Sequence, residues 1–159
     1  MMRILYIKRM IKNQLLVLTN KQTIMKQILG LKGSEKKGKT ETLNLLIDLL
    51  EVATTGCAMP AAQPIGVNRK RTFTYNGNKV SICTAGDNLS ELLANRKYFE
   101  SEKCDIAISA ARTRGTTHDV LNKLANDNNI KVSWIKKIYD LPNKDIVNSQ
   151  QANDIFKKL

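Results

Sequence analysis

The chain has 159 residues, of which 42% are hydrophobic and 25% are charged, a composition typical of one ordinary globular domain. Its three well-separated cysteines and single histidine argue against a disulfide framework and against a zinc site, so we interpret the thiols as reduced and expect a cytoplasmic protein. The sequence contains no run of about 18 uncharged apolar residues, so it predicts no transmembrane helix. The net charge of +12 favours the binding of polyanions such as nucleotide phosphates, nucleic acid or an anionic membrane face.

The first 24 residues mix apolar and basic side chains and contain no acidic residue. Such a segment could form a basic amphipathic helix on a membrane surface. We favour an extension that precedes the fold, because Met25 stands directly before a strand-like run and would suit a translation start. We therefore predict one domain over residues 25–159 and do not expect a membrane partner. The basic residues of the extension are Arg3, Lys8, Arg9, Lys12 and Lys21.

The rest of the chain predicts strands that alternate with helices, apart from one hairpin at Asn76-Gly77, a dipeptide that favours a tight two-residue turn. This order is typical of an α/β fold with three layers, in which helices cover both faces of a mainly parallel sheet and the hairpin adds one antiparallel strand. The predicted strands are 25–31, 70–75, 79–84, 104–110 and 129–138, and the predicted helices are 40–52, 89–102, 116–126 and 144–159.

Residues 33–40, with the sequence GSEKKGKT, fit the pattern G-x-x-x-x-G-K-[ST] between a predicted strand and a predicted helix. Gly33 and Gly38 permit backbone conformations and close approaches that a Cβ would block. The backbone N–H groups of such a loop surround a phosphate, and the helix N-terminus adds partial positive charge. Lys39 would then bridge the β- and γ-phosphates, and the Thr40 hydroxyl would help to hold Mg²⁺.

Residues 26–47 resemble the P-loop nucleoside triphosphatase superfamily in this motif and its surroundings. The resemblance implies a nucleotide-binding domain with ATP, or another nucleoside triphosphate, and Mg²⁺ as its ligands. It implies phosphate contacts from the loop and from the first turn of the following helix. The predicted nucleotide-binding residues are Gly33, Ser34, Gly38, Lys39, Thr40 and Glu41.

Members of this superfamily also carry an aspartate at the end of a neighbouring apolar strand, which binds Mg²⁺ directly or through water. Asp87 is the candidate here, and with Thr40 it forms the predicted metal site. The sequence departs from the usual form because three residues, 84–86, separate Asp87 from the apolar residues of its strand. The expectation that Asp87 reaches Thr40 assumes that this strand lies beside the P-loop strand. Asp105 is the alternative, although it stands at the beginning of a strand.

The polar loop 112–115 follows an apolar strand, and ligands of open parallel sheets lie beyond the carboxyl ends of the strands. Arg112 and Arg114 could therefore stabilise γ-phosphate charge or an anionic second substrate. A solvated loop is the equally weighted alternative. The predicted catalytic residues are Lys39, Arg112 and Arg114.

We predict Mg²⁺-dependent ATP binding and hydrolysis, or a kinase-like phosphotransfer, with catalysis mostly by positioning and charge stabilisation. Glu35, Asp87 and Glu41 are the candidates for activating water. One alternative is a non-enzymatic, nucleotide-dependent switch or module that binds a protein partner. Another is a basic nucleic-acid-binding module, although the chain lacks the interleaved aromatic residues used for stacking on bases.

The sequence 143–145 resembles the guanine motif N-K-x-D, but its aspartate comes one residue early, so no base preference is predicted.

Overall fold

The computed structural model describes residues 2–19 and 25–159, and it describes the side chains of residues 2–13 and 25–159. It contains five helices and five strands over these residues, each predicted element lying within a few residues of its predicted position. The strands are β1 (Gln27–Lys32), β2 (Lys70–Tyr75), β3 (Asn78–Cys83), β4 (Ile106–Ala111) and β5 (Val132–Lys136). The helices are α1 (Met2–Thr19), α2 (Lys39–Thr55), α3 (Leu89–Glu102), α4 (Thr116–Asp127) and α5 (Lys144–Phe156).

The five strands form one mixed sheet in the order β2-β3-β4-β1-β5, in which only β2 is antiparallel to its neighbour. The predicted α/β class is thus confirmed. The carboxyl ends of the four parallel strands meet at one edge of the sheet, so the loops that follow them converge there. One expectation was wrong: β3 does not lie beside β1, because β4 pairs with both.

Alternate residues of the buried strands belong to different core clusters, as the two-residue period of a strand requires. In β1, Leu29 and Leu31 pack in a cluster with α2 and α5, whereas Ile28 packs in a cluster that includes α3 and α4 residues. In β4, Ile108 and Ala107 divide in the same way. Helices therefore cover both faces, and the apolar runs of β1 and β4 reflect strands that are buried on each side.

The hairpin between β2 and β3 has the two-residue turn that Asn76-Gly77 predicts. Both residues have positive φ, 48° for Asn76 and 76° for Gly77, and Tyr75 pairs with Asn78 across the turn. These dihedral signs match the primed turns whose twist suits a hairpin. The hairpin places β3 next to β4 and so determines where the loop carrying Asp87 begins.

Helix α1 occupies most of the segment that we assigned to an extension. Its side chains from residue 2 to residue 13 are exposed, including the apolar Leu5 and Ile7. Within residues 2–19 and 25–159, no helix is long and apolar enough to cross a membrane. Lys21, the last basic residue of the predicted extension, lies outside the described residues, and the boundary at residue 25 stays a prediction.

Gly86 holds the loop after β3 against β4. A Cβ at this position would overlap the backbone carbonyl oxygen of Ala110. Since backbone has to move to admit a methyl group, we expect Gly86→Ala to lower the free energy of unfolding by about 3 kcal/mol, as measured by urea denaturation. Gly66→Ala is the control, because a Cβ there would meet no atom within 4 Å. Only the positive φ of 80° disfavours alanine at this position, so the free energy of unfolding should fall by only about 1 kcal/mol. Equal losses in the two variants would contradict the close approach at Gly86.

Candidate functional site

The loop 33–38 leaves the carboxyl end of β1 and enters α2, as the motif predicts. The N–H of Gly33 donates to the carbonyl of Ala111 at the end of β4, 3.2 Å away, so the loop begins at the sheet edge. Gly38 precedes the first residue of α2 with φ 81°, a left-handed conformation that favours glycine. A Cβ on Gly38 would also lie 2.9 Å from the Asn148 side chain of α5. The backbone conformation therefore favours glycine at this position, and the Asn148 side chain would have to shift to admit a Cβ.

Lys39 begins α2, and its side chain folds back beneath the loop. It is only 5% exposed, and its Nζ donates to the carbonyl of Ser34 at 2.7 Å. The same Nζ lies 3.3 Å from Oδ1 of Asp87. The ammonium group thus joins loop 33–38 to the loop that follows β3, although these loops follow strands that are not adjacent.

Asp87 and Thr40 are brought together at this edge. Thr40 Oγ1 donates to the carbonyl of Thr84, in the loop that carries Asp87, at 3.3 Å. The Oδ1 atom of Asp87 is buried and makes no hydrogen bond with any described residue, despite its ion pair with Lys39. The backbone N–H of Asp87 donates to Glu91 at 2.7 Å, which orients the loop from the first turn of α3. The three residues between β3 and Asp87 therefore carry the carboxylate past the end of β4.

The two predicted arginines of loop 112–115 differ in their surroundings. Arg112 donates from Nε to the backbone carbonyl of Asp87 at 3.0 Å and from a terminal nitrogen to Glu35 at 3.3 Å. It thus links the loop after β4 to loop 33–38 and to the loop that carries Asp87. Arg114 is exposed and has no hydrogen bond or ion pair with the described side chains. Asp105 lies at the opposite edge of the sheet, where it accepts a hydrogen bond from Lys79 N at 2.8 Å.

A cavity of about 530 Å³ opens beside loop 33–38. This volume is in the usual range of small-molecule sites. Glu35 and Glu41 line it, but Glu35 is held by Arg112. The lining combines the loop with residues from more distant parts of the chain that the sequence analysis did not assign to the site. These additional residues are Ile65, Gly66, Tyr139, Leu141, Lys144 and Asn148.

Lys137 is the main residue that the sequence analysis missed. It follows β5, is 6% exposed, and has its backbone N–H bonded to the carbonyl of Lys32 at 2.8 Å. Its Nζ donates to the carbonyl of Ile138. Burial lowers the pKa of Lys137 to about 8, and the charge of Glu41 partly offsets this effect. The only signal in the sequence was its position at the carboxyl end of a predicted strand, where functional side chains of parallel sheets are found.

The low pKa of Lys137 predicts that stability rises with pH. Between about pH 8 and 10.5 the folded chain has already released this proton while the unfolded chain still holds it, so raising the pH favours folding. We expect urea denaturation to show Lys137→Met more stable than the wild type by about 1–3 kcal/mol below pH 8. The difference should shrink towards pH 10.5. Lys97→Met, which removes an exposed charge of α3, is the control and should give no such trend.

Comparisons of this chain with protein-family models, curated proteins and solved structures found no match. The site is therefore interpreted from its own residues and their geometry. Those residues are a glycine-bearing loop, a buried lysine at a helix N-terminus, and an aspartate and an arginine supplied by two other strand ends.

Proposed function

We propose that this chain binds a nucleoside triphosphate with Mg²⁺ on residues 33–40 and hydrolyses its terminal phosphoanhydride bond. The observation that carries the proposal is the Lys39 ammonium, which is buried beneath the loop between the Ser34 carbonyl and the Asp87 carboxylate. A buried cation at the N-terminus of a 17-residue helix attracts an anion, because the helix dipole adds to its charge. This arrangement supports the proposed membership of the P-loop superfamily.

Binding of phosphate would use groups that are already oriented. The first N–H groups of α2 have no acceptor within the helix and face the end of the loop. Lys39 would exchange its contact with the Ser34 carbonyl for the phosphate oxygens, since a charge-assisted bond is stronger than a neutral one. Ser34 and Glu41 flank the loop at its two ends and complete the proposed nucleotide-binding set.

The residues present fit a magnesium ion. Mg²⁺ takes oxygen ligands, keeps several waters and uses only one or two protein groups together with the substrate phosphates. The buried Oδ1 of Asp87, without a hydrogen bond in the described structure, and the hydroxyl of Thr40 supply such groups. Bound Mg²⁺ would neutralise the charge that develops on the phosphates. Asp87 would then exchange its pairing with Lys39 for the metal.

Arg112 is the arginine that the geometry favours for catalysis. Its guanidinium lies 3.9 Å from Asp87 Oδ1 as well as bonding to the Asp87 carbonyl, so it lies close to the proposed metal ligand. A fixed cation there would stabilise negative charge on the departing phosphoryl group. Arg114 is exposed in the same loop, and its role as a second catalytic arginine stays a prediction.

A nucleotide-dependent switch is the second candidate, and one observation favours it. Two of the three carboxylates considered for activating water are held by cations, Glu35 by Arg112 and Asp87 by Lys39. A carboxylate held in this way has to leave its cation before it can orient and activate water. Slow turnover with retained nucleotide binding would follow.

Calorimetric titration with ATP, GTP and their diphosphates, each with and without Mg²⁺, tests the proposal. We expect triphosphate binding that tightens with Mg²⁺. Phosphate release measured on the same samples then separates the hydrolase from the switch. No heat of binding with any of the four nucleotides would overturn the nucleotide proposal altogether.

A further inference from the structure

A second cavity, of about 710 Å³, lies beside the start of the P-loop. It opens between the carboxyl ends of β1 and β5 and the loop after β4. Four lysines line it, together with the hydroxyl side chains of Ser34 and Thr113, and none of the described residues in its lining is acidic. The four are Lys32, Lys37, Lys136 and Lys137.

No lysine of this cavity forms an ion pair with a described carboxylate, and only the more distant Glu41 acts on the charge of Lys137. Lys137 is almost completely buried, yet no described carboxylate lies within 4.0 Å of its Nζ, which bonds only to the Ile138 carbonyl. A buried charge without a partner is unfavourable. Its lowered pKa, to about 8, has the same physical cause. An anion in the cavity would supply the missing counter-charge.

The second cavity meets the proposed nucleotide cavity at one pair of side chains. Lys37 Nζ lies 3.9 Å from the centre of the Tyr139 ring, a cation–π contact, and both residues line both cavities. Ser34, which lines the second cavity, also accepts the hydrogen bond from Lys39. A ligand in the second cavity would thus lie against the outer side of the P-loop.

We propose that this cavity binds a small polyvalent anion, a phosphate- or carboxylate-bearing molecule that is distinct from the nucleotide. The lysines supply the charge, and the hydroxyl groups of Ser34 and Thr113 supply neutral donors, a combination that suits oxyanions. The site goes beyond the proposed nucleotide function and does not require it.

Trp134 reports on this cavity because it is the only tryptophan of the chain and Lys32 Nζ lies 5.7 Å from its ring. The experiment is a titration of tryptophan fluorescence with inorganic phosphate, and in parallel with citrate, at constant ionic strength and neutral pH. We expect a saturable change with at least one of the two anions, the better anion identifying the ligand class. Lys137→Met should weaken that binding by at least about tenfold, the loss of one charged hydrogen-bond partner. Lys97→Met, the exposed control, should leave it unchanged.

Two further variants keep the outcomes distinct. Lys39→Ala should retain the fluorescence response, because Lys39 does not line this cavity. This variant therefore tests anion binding at the second site independently of nucleotide binding. Lys136→Met replaces Lys137→Met if the latter does not fold, and it should weaken the response by at least about threefold, as expected for a more exposed charge. A response that fails to saturate with either anion, or that these lysine variants leave unchanged, would overturn the proposal.

Discussion

Replacement of Lys39 by alanine is expected to weaken triphosphate binding by at least about tenfold, and by up to about a hundredfold. The physical reason is the loss of the buried Lys39 ammonium, whose hydrogen bonds to phosphate would be charge-assisted. Isothermal calorimetry with ATP and Mg²⁺ measures the effect. The fold should persist, because the Nζ of Lys39 contacts polar groups at the sheet edge and not the apolar core.

Lys36→Ala is the matched control for this result. Lys36 belongs to the same loop and carries the same charge, but its side chain is exposed. It should weaken binding by less than about threefold, as expected for an exposed charge. Unchanged affinity in Lys39→Ala, with circular dichroism showing a folded chain, would remove the P-loop assignment. Equal losses in both variants would attribute binding to the general positive charge of the loop.

Replacement of Asp87 by asparagine is expected to abolish the additional affinity that Mg²⁺ confers and to lower any turnover together with it. Asparagine keeps the size of the side chain and removes the charge that a metal ion requires. Nucleotide binding without metal should not weaken, since the substitution removes a negative charge that lies 3.3 Å from the Lys39 ammonium. Calorimetry with and without Mg²⁺, combined with phosphate release, measures both quantities. Turnover should fall by about a hundredfold, as expected when several kcal/mol of charge stabilisation are lost.

Asp105→Asn provides the control at the opposite edge of the sheet. Asp105 was the alternative metal ligand in the sequence, but in the structure its carboxylate bonds to the backbone of Lys79 and lies 3.8 Å from Lys26. Its replacement should leave the effect of Mg²⁺ unaltered. Wild-type turnover in Asp87→Asn, or a loss confined to Asp105→Asn, would contradict the metal role of Asp87.

Local patterns in the sequence were sufficient to predict the elements of this fold. The alternation of strands and helices, the Asn76-Gly77 turn and the glycines of residues 33–40 each depend on residues that are close together in the chain. Their conformations follow from short-range sterics, such as the left-handed φ of Gly38 and of the hairpin turn. The α/β class and the strand–loop–helix setting of residues 33–40 could therefore be predicted without coordinates.

Contacts between distant residues could not be predicted in the same way. The sequence did not reveal that β4 separates β1 from β3, because strand order depends on which apolar faces pack together and not on the pattern within each strand. The contact of Arg112 with Asp87 and Glu35, while Arg114 is exposed, has the same origin.

The sequence by itself thus determined the α/β class and the strand–loop–helix setting of residues 33–40, and it singled out Asp87 as a candidate metal ligand. Only the tertiary structure decided that Asp87 reaches Lys39 from beyond an intervening strand. It also decided that Lys137, one of 26 basic residues, is buried without a carboxylate among the described side chains. The physical reason is that burial and ion pairing depend on which residues are neighbours in space. The positions of lysines in the sequence do not specify which of them are desolvated in the folded protein.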